Sequence, residues 1–407
     1  MKKQRVGYIY SQTATVITSK LPSNIGRSRR VHALALDAFA MHGKLIIVPP
    51  VPASRNDFLA FHSIEFVNAL MAAETQLDEM EENFAENLDF FEEFGLLYDC
   101  PVFPGLAEYV RTVAGGTLTA TRLLINREAD VAIHWDGGRH HAHREMASGF
   151  CYINDIVLGI LDLHSAGFKR VLYIDLDIHH CDGVESAFEY TSKVFRASFH
   201  MHQPGFFPGT GSPESTGVGK GANHALNTPL PPHTTSHDFI ENVTQTVSQI
   251  LEFLYSRPDA LVVQCGMDGC RRDPLVPNGW NLDAFAVGDC VAAILQLVWP
   301  KKAEKLVPVL LLGGGGYDSQ MAARGWTYTT MRVLEIVNEY QDAIKRLSGA
   351  NETLSAEPED ANSGILNNKT EENLKGDAEM DYYKLEIPDH EFGEEYAPHY
   401  TLYESNA

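Results

Sequence analysis

The sequence predicts an α/β domain built around a mainly parallel sheet. Seven short apolar, β-branched runs recur along the chain with helical patterns between them, and strands separated by helices connect in parallel. Several of these runs are almost continuously apolar, as strands covered on both faces are. In chain order the strand candidates are Arg5–Tyr10, Leu45–Val48, Asp130–Trp135, Arg170–Ile174, Val194–Phe199, Ala260–Gln264 and Val307–Leu312. Asn154 or Asp155 caps a helix running through Ile156–Leu163. Phe239, Ile240, Val243, Val247, Ile250, Leu251 and Leu254 recur at three- and four-residue steps and predict a second helix. Phe285–Trp299 predicts a third.

Composition bounds the rest. With 44% hydrophobic and 21% charged residues in 407, the chain can build a sizeable core, which excludes wholesale disorder. A formal charge of −22 argues against nucleic acid or an anionic membrane as partner and favours a cationic one. The charge is uneven: residues 348–407 hold 15 acidic and 3 basic side chains, a net −12, leaving −10 for residues 1–347. Residues 1–347 form the body, and the polar stretch 348–381 reads as a disordered acidic linker. In residues 382–407, Tyr382, Tyr383, Leu385, Ile387, Phe392, Tyr396, Tyr400, Leu402 and Tyr403 predict a segment packing back on the body. Six cysteines without a CxxC pair read as reduced thiols of an intracellular protein. Met1–Ser11 is too poor in apolar residues for a signal peptide, and no run reaches the ~18 needed for a membrane span.

Histidine carries the chemical signal: twelve of 17 fall between His134 and His237. Within that window Tyr173-Ile-Asp175-Leu-Asp177-Ile-His179-His180-Cys181-Asp182-Gly183 begins in a strand and runs past its C-terminal end. Alternate residues of an extended segment share a face, so Asp175, Asp177 and His179 point the same way. Two carboxylates and an imidazole there predict a metal site, at the end of the strands where open α/β sheets place ligands. A lone Asp after a strand is ordinarily a turn residue or cap, but three metal-capable residues at period two are not. His134-Trp-Asp136-Gly-Gly138-Arg-His140-His141-Ala-His143 also follows an apolar strand, and its histidines suit ligand or acid–base roles, or a surface loop. Val262-Val-Gln264-Cys-Gly266-Met-Asp268 ends in a carboxylate on a turn. Leu310-Leu-Leu-Gly313-Gly-Gly-Gly316-Tyr317-Asp318 lacks the Lys-Ser/Thr of a phosphate loop. Singly, the last two patterns are ordinarily structural; four polar clusters, each following a strand, are the stronger observation.

From His200 through Phe206-Phe207 and Gly211 to His224 runs a Gly/Pro-rich segment without period, of the length functional loops have. Its paired phenylalanines suit an apolar channel or the core. An Asp, a His and a second Asp leave a four-coordinate metal an open position for water. Zinc lowers that water's pKa toward about 7 and polarises a carbonyl. A carboxylate-held histidine can move the water's proton to a leaving amine, and a tyrosine on a glycine turn can stabilise the oxyanion. This is equipment for amide hydrolysis.

The motifs Gly-Gly-x-His140-His141, Ala147-Ser-Gly-Phe150-Cys-Tyr-x-Asn-Asp-Ile156, Asp175-x-Asp-x-His-His-x-Asp182-Gly, Pro204-Gly-Phe-Phe-Pro-Gly-Thr-Gly211 and Gly-Gly-Gly-Gly-Tyr317 resemble, in this order, the zinc-dependent histone deacetylases, class I above all. The resemblance runs from about Val6 to Leu402 and includes Tyr98-Asp-Cys-Pro101. It implies the arginase/deacetylase-like α/β fold, a central, mainly parallel eight-stranded sheet flanked by helices, with 1–347 as catalytic domain. It also implies hydrolysis of acetyl-lysine in histone tails or other proteins, nuclear or also cytoplasmic residence, and membership of a chromatin complex. By position, Asp177, His179 and Asp268 would hold one Zn2+. His141 would be general base and acid with His140 as electrostatic partner, oriented by Asp182 and Asp175 respectively, and Tyr317 would donate to the oxyanion. Phe150 and Phe207 would flank the lysine channel beside Gly149, with Asp99 and Met201 at its mouth; Arg27 and Cys151 would border an internal cavity. A structural K+ would involve Asp175, Asp177, His179, Ser198 and Phe199, and a second would lie near Phe188, Thr191 and Val194.

The departures from the family pattern set further expectations. Cys181 stands where glycine is usual, so a left-handed backbone there would cost roughly 1–2 kcal/mol. Arg139 replaces an apolar residue and puts charge at the floor or rim of the site, and Met201-His202 alters its mouth. Asp273-Pro274 and Gln320 stand where inositol-phosphate-binding members carry arginines. Rival readings are an acetylpolyamine or small-amide deacetylase and a weakly active acyl-lysine-binding scaffold. A manganese ureohydrolase is a fold-level rival that would need more aspartates.

Overall fold

The computed structural model describes residues 5–38, 41–78, 84–254, 256–299, 306–354, 385–397 and 400–403. The chain opens with β1 (Val6–Ile9), α1 (Gln12–Thr18), α2 (Arg27–His32) and β2 (Ile46–Val48). A helical layer follows: α3 (Arg55–Phe58), α4 (Ile64–Asp78), α5 (Phe84–Glu93) and α6 (Leu106–Ile125). Then come β3 (Val131–His134), α7 (Asp155–Ser165), β4 (Val171–Asp175), α8 (Asp182–Ala187), β5 (Val194–His200) and β6 (Ala225–Pro229). The body closes with α9 (Ser236–Phe253), β7 (Ala260–Gln264), α10 (Ala286–Val298), β8 (Val309–Leu312) and α11 (Ser319–Leu354).

The eight strands form one sheet in the order β2-β1-β3-β8-β7-β4-β5-β6. Every pairing is parallel, so the sheet is wholly rather than mainly so. The near-continuous apolar runs follow from burial on both faces. Leu172 and Ile174 of β4 enter one core with α9, α10 and α11, while Val171 and Tyr173 enter the opposite core with α6 and α7. A third apolar cluster joins α4, α5 and α6. Asn154 caps α7 by accepting from Val157 N at 3.0 Å, and Thr235 caps α9 by accepting from Asp238 N at 3.3 Å.

The chain beyond the body is buried in part. Ile387, Tyr396 and Leu402 belong to the main core, Ile387 N donates to Tyr400 O (2.8 Å), and Glu395 pairs with Arg30 of α2 at 2.6 Å. The acidic stretch 348–381 lies largely outside the described residues, but α11 runs to Leu354, so its first residues are helical rather than disordered.

Candidate active site

The four polar clusters follow β3, β8, β7 and β4, which are consecutive neighbours in the sheet. Parallel pairing places all four C-terminal ends on one edge. There Asp177, His179 and Asp268, all buried, bring one ligand atom each within 4.8 Å of one another. His179 Nδ1 lies 2.9 Å from Asp268 Oδ2 and 3.2 Å from Asp177 Oδ1. Asp177 Oδ2 accepts from Gln264 Nε2 (2.9 Å) and Gly315 N (2.8 Å), and Asp268 Oδ1 from Ile178 N (3.2 Å).

Crowding of these groups is legible in their protonation. Burial, and then the Asp177 charge, push the Asp268 carboxyl up to about 7. Burial lowers the His179 imidazole, but Asp268 and Asp177 outweigh it and raise it to about 10. Two buried carboxylates that cannot comfortably both ionise, with an imidazole between them, are a donor set that a divalent cation satisfies.

Asp175 does not join this set. The strand ends at Asp175, so the extended alternation expected to align it with Asp177 and His179 stops there. Its Oδ2 instead lies 2.8 Å from His140 Nδ1 and accepts from the Tyr173 hydroxyl, while Oδ1 accepts from Asp177 N (3.1 Å). His141 Nδ1 lies 2.7 Å from Asp182 Oδ1, and the two imidazoles are 3.9 Å apart. Burial lowers His140, but Asp175 and Asp177 outweigh it and hold it at about 9. Burial and the neighbouring His140 charge push His141 down to about 4, against the pull of Asp182. Adjacent groups driven apart in this way suit one charged and one basic role.

Tyr317 is aimed by its backbone: its N donates to Asp273 Oδ2 (2.8 Å), and Arg27 Nη1 donates to Gly314 O (3.0 Å) and Gly316 O (2.8 Å) on the same turn. Burial and the Asp268 charge hold the phenol well above its ordinary pKa, so it stays a donor. A channel of about 320 Å³ runs between Phe150 and Phe207 to His141, His179 and Tyr317. Phe207 stands edge-on to His141 (4.8 Å), and Phe206 stacks on His179 (5.1 Å, 3°). Gly149 has φ +55°, and a Cβ there would meet His141 Cδ2 at 2.4 Å. Asp99 Oδ2 accepts from Gly149 N at 2.5 Å beside the mouth.

Other predicted positions divide. Met201 is buried in the main core and does not line the channel; its N is bonded to Ile178 O, which turns the side chain inward. His202 is exposed in an adjoining groove. Asp175 and Ser198 are register partners on β4 and β5, followed by Phe199. Thr191 N donates to Phe188 O (3.2 Å) in the turn leading to Val194. Cys151 is buried, and its backbone carbonyl accepts from the Cys100 thiol. Cys181 has φ −79°, so the feared left-handed strain is absent. Arg139 is 6% exposed, which puts it in the floor and not at the rim. Residues given no role from sequence include Gln264 and Asp273, while Phe206, read from sequence as channel or core, lines the channel. Gln264 left a signal, as the single polar residue closing an otherwise apolar strand.

Parallel strands deliver an Asp-His-Asp donor set and carboxylate-held histidines to an apolar channel, an arrangement that fits the class of metal-dependent amide hydrolases. The histone deacetylase domain family matches residues 21–333. Histone deacetylase 8 of Danio rerio is 36% identical over 401 residues, covering 98% of this chain and 89% of that protein. Its Xenopus tropicalis counterpart is 35% identical over 393 residues (97% and 88%). Histone deacetylase 6 of Arabidopsis thaliana is 39% identical over 331 residues (81% and 66%). The chain therefore belongs to the histone deacetylase family, is class I-like, and is a deacetylase. No described helix is long and apolar enough to cross a membrane.

Proposed function

We propose that this protein hydrolyses the acetyl amide of acetyl-lysine in histones or other proteins. The observation that carries the reading is the Asp177–His179–Asp268 set within 4.8 Å, beside a His141 whose Nδ1 is committed to Asp182. A Zn2+ held by those three residues would polarise the acyl carbonyl and lower the pKa of water toward about 7. Phe150 and Phe207 flank the lysine methylenes, and Asp99 positions the substrate backbone. His141 Nε2 takes a proton from the attacking water and returns it to the leaving amine, while Asp182 holds the ring. His140, paired with Asp175, keeps positive charge near the reacting carbon. Tyr317 donates to the acyl oxygen as negative charge develops there.

In the same reading Asp175, Asp177, His179, Ser198 and Phe199 take a structural K+, and Phe188, Thr191 and Val194 a second. Nuclear residence in a chromatin complex, and a cationic substrate tail, are supported by the family and by the acidic charge of −22. The test is turnover of an acetyl-lysine peptide beside acetylated spermidine, with Asp268→Ala as control. Peptide turnover that disappears with metal content in the variant supports the reading. Spermidine turnover alone, or full metal occupancy in Asp268→Ala, refutes it.

A further inference from the structure

Asp182 holds two imidazoles, one on each oxygen. Oδ1 lies 2.7 Å from His141 Nδ1, and Oδ2 lies 3.3 Å from His143 Nε2. The two rings face different spaces. The His141 side chain is 6% exposed and lines the channel, whereas the His143 side chain is 33% exposed and lines an adjoining groove of about 530 Å³. Asp182, the first residue of α8, also lines that groove, so its carboxylate stands between the buried ring and solvent. The segment is fixed from both sides: His143 N donates to Met146 O (3.0 Å), Asn154 Nδ2 to Ala142 O (2.9 Å) and Val184 N of α8 to His140 O (3.2 Å). The far nitrogen of His143 is provided for in either protonation state. Ser186 Oγ lies 3.4 Å from His143 Nδ1 and 3.0 Å from Gly183 O. Its hydroxyl can donate to Nδ1 of the neutral ring, or turn to Gly183 O and accept from Nδ1–H of the charged one. The other charged and titratable groups around the groove are Glu185 on α8, Glu189 just after it, and His180 and His202 on the other walls. Arg144 and Glu145 follow in the chain, both exposed. Glu185 is itself paired with His180 at 3.2 Å, and Arg144 Nε donates to Phe61 O (3.1 Å). Asp182 raises the His143 imidazole above its ordinary pKa through their bond, against burial.

We propose that His143 is a positioning residue that sets the basicity of His141 through their shared carboxylate, so that turnover follows the charge facing the groove. A neutral His143 leaves the full Asp182 charge on His141 and strengthens it as a base. A protonated His143 draws on the same carboxylate and weakens that base. The sign follows: His143 loses its proton as pH rises through a pKa above about 6.5, and kcat/KM gains a further increment there. Its expected size is about three- to ten-fold, below the ~10–100-fold typical when a residue bonded directly to a site ligand is replaced, because one carboxylate intervenes. The inference rests on the deacetylase reading, in which His141 is the base.

Metal-loaded full-length protein is assayed on a histidine-free acetyl-lysine peptide between about pH 5.5 and about pH 9, which spans the histidine range. Wild type is compared with His143→Gln, fixed neutral, and His143→Lys, a fixed cation, with metal content measured at each pH. Wild type is expected to show the extra rise. Both variants lose it, His143→Gln staying on the upper limb and His143→Lys on the lower. Superimposable profiles, or the reverse order, overturn the proposal. So does an equal loss in both variants with the shape of the profile unchanged, the mark of a purely structural role. Wild type without turnover while metal is bound sinks the deacetylase reading, and ring-nitrogen NMR of the metal-loaded proteins then decides the coupling. A His141 midpoint lowest in His143→Lys supports it, and one midpoint in all three proteins overturns it. Either variant alone still tests the sign if the other misfolds.

Discussion

Gln264→Leu isolates a residue that touches no substrate yet holds the metal site. Gln264 is fully buried at the end of β7, where Nε2 donates to Asp177 Oδ2 (2.9 Å) and Oε1 accepts from Gly266 N (2.8 Å). Leucine fills similar space but makes neither bond. Losing a hydrogen bond to a charged group costs about 1.5–3 kcal/mol, and stranding the Gly266 N–H costs about 1–3 kcal/mol. The variant should therefore lose about 2.5–6 kcal/mol of stability, read by urea unfolding of metal-free protein. Partners of metal ligands are typically worth about 10–100-fold in affinity. Gly315 N still holds Asp177 Oδ2 at 2.8 Å, so the loss should fall near about ten-fold. Competition with a chromophoric zinc chelator measures it on folded protein. A zinc Kd within about three-fold of wild type, in a variant that has lost the expected stability, would refute the reasoning.

Tyr317→Phe should lower kcat by about 10²–10³ with metal content unchanged, since one oxyanion donor is gone; an unchanged kcat assigns that work elsewhere. His143→Gln tests the second imidazole on Asp182, 3.3 Å from Oδ2, whose pKa is raised by that bond. A raised folded pKa stabilises fully below the unfolded value of about 6.5 and is lost as pH rises through the folded one. The stability gap between wild type and variant should therefore be widest in acid and close with rising pH; a gap independent of pH contradicts it. Cys181→Gly relieves no strain at φ −79° and discards a buried thiol. It should cost about 1–2 kcal/mol with turnover within a few-fold, and a gain in stability would count against the backbone argument.

Most of the sheet was legible because each central strand is buried on both faces and so spells a continuous apolar run. Ala260–Gln264 matches its predicted bounds, and the other predicted strands match within two residues. β6 was missed because Ala225–Pro229 is a partly exposed edge strand ending in proline, directly after a Gly/Pro-rich stretch. Asp177 and His179 were legible as neighbours in one short segment. Gln264 and Asp273 were not, since their partners Asp177 and Tyr317 lie 87 and 44 residues away. Arg139 was visible as a departure, but only burial could decide between floor and rim.

The dispersal of the donor set also bears on assembly. Asp268 stands 89 residues after His179, and what brings them together is the direct pairing of β4 with β7, with Asp175 opposite Gln264. An unfolded chain can offer a cation only the local Asp177 and His179 pair, a weak chelate. Binding is thus strongly biased toward chains whose central sheet has closed, and a cation at about a thousand times its Kd would add ~4 kcal/mol to the folded state. Cation occupancy would then report correct strand order, and a strong chelator is expected to lower the Tm of the folded protein by withdrawing that increment as well as to inhibit it.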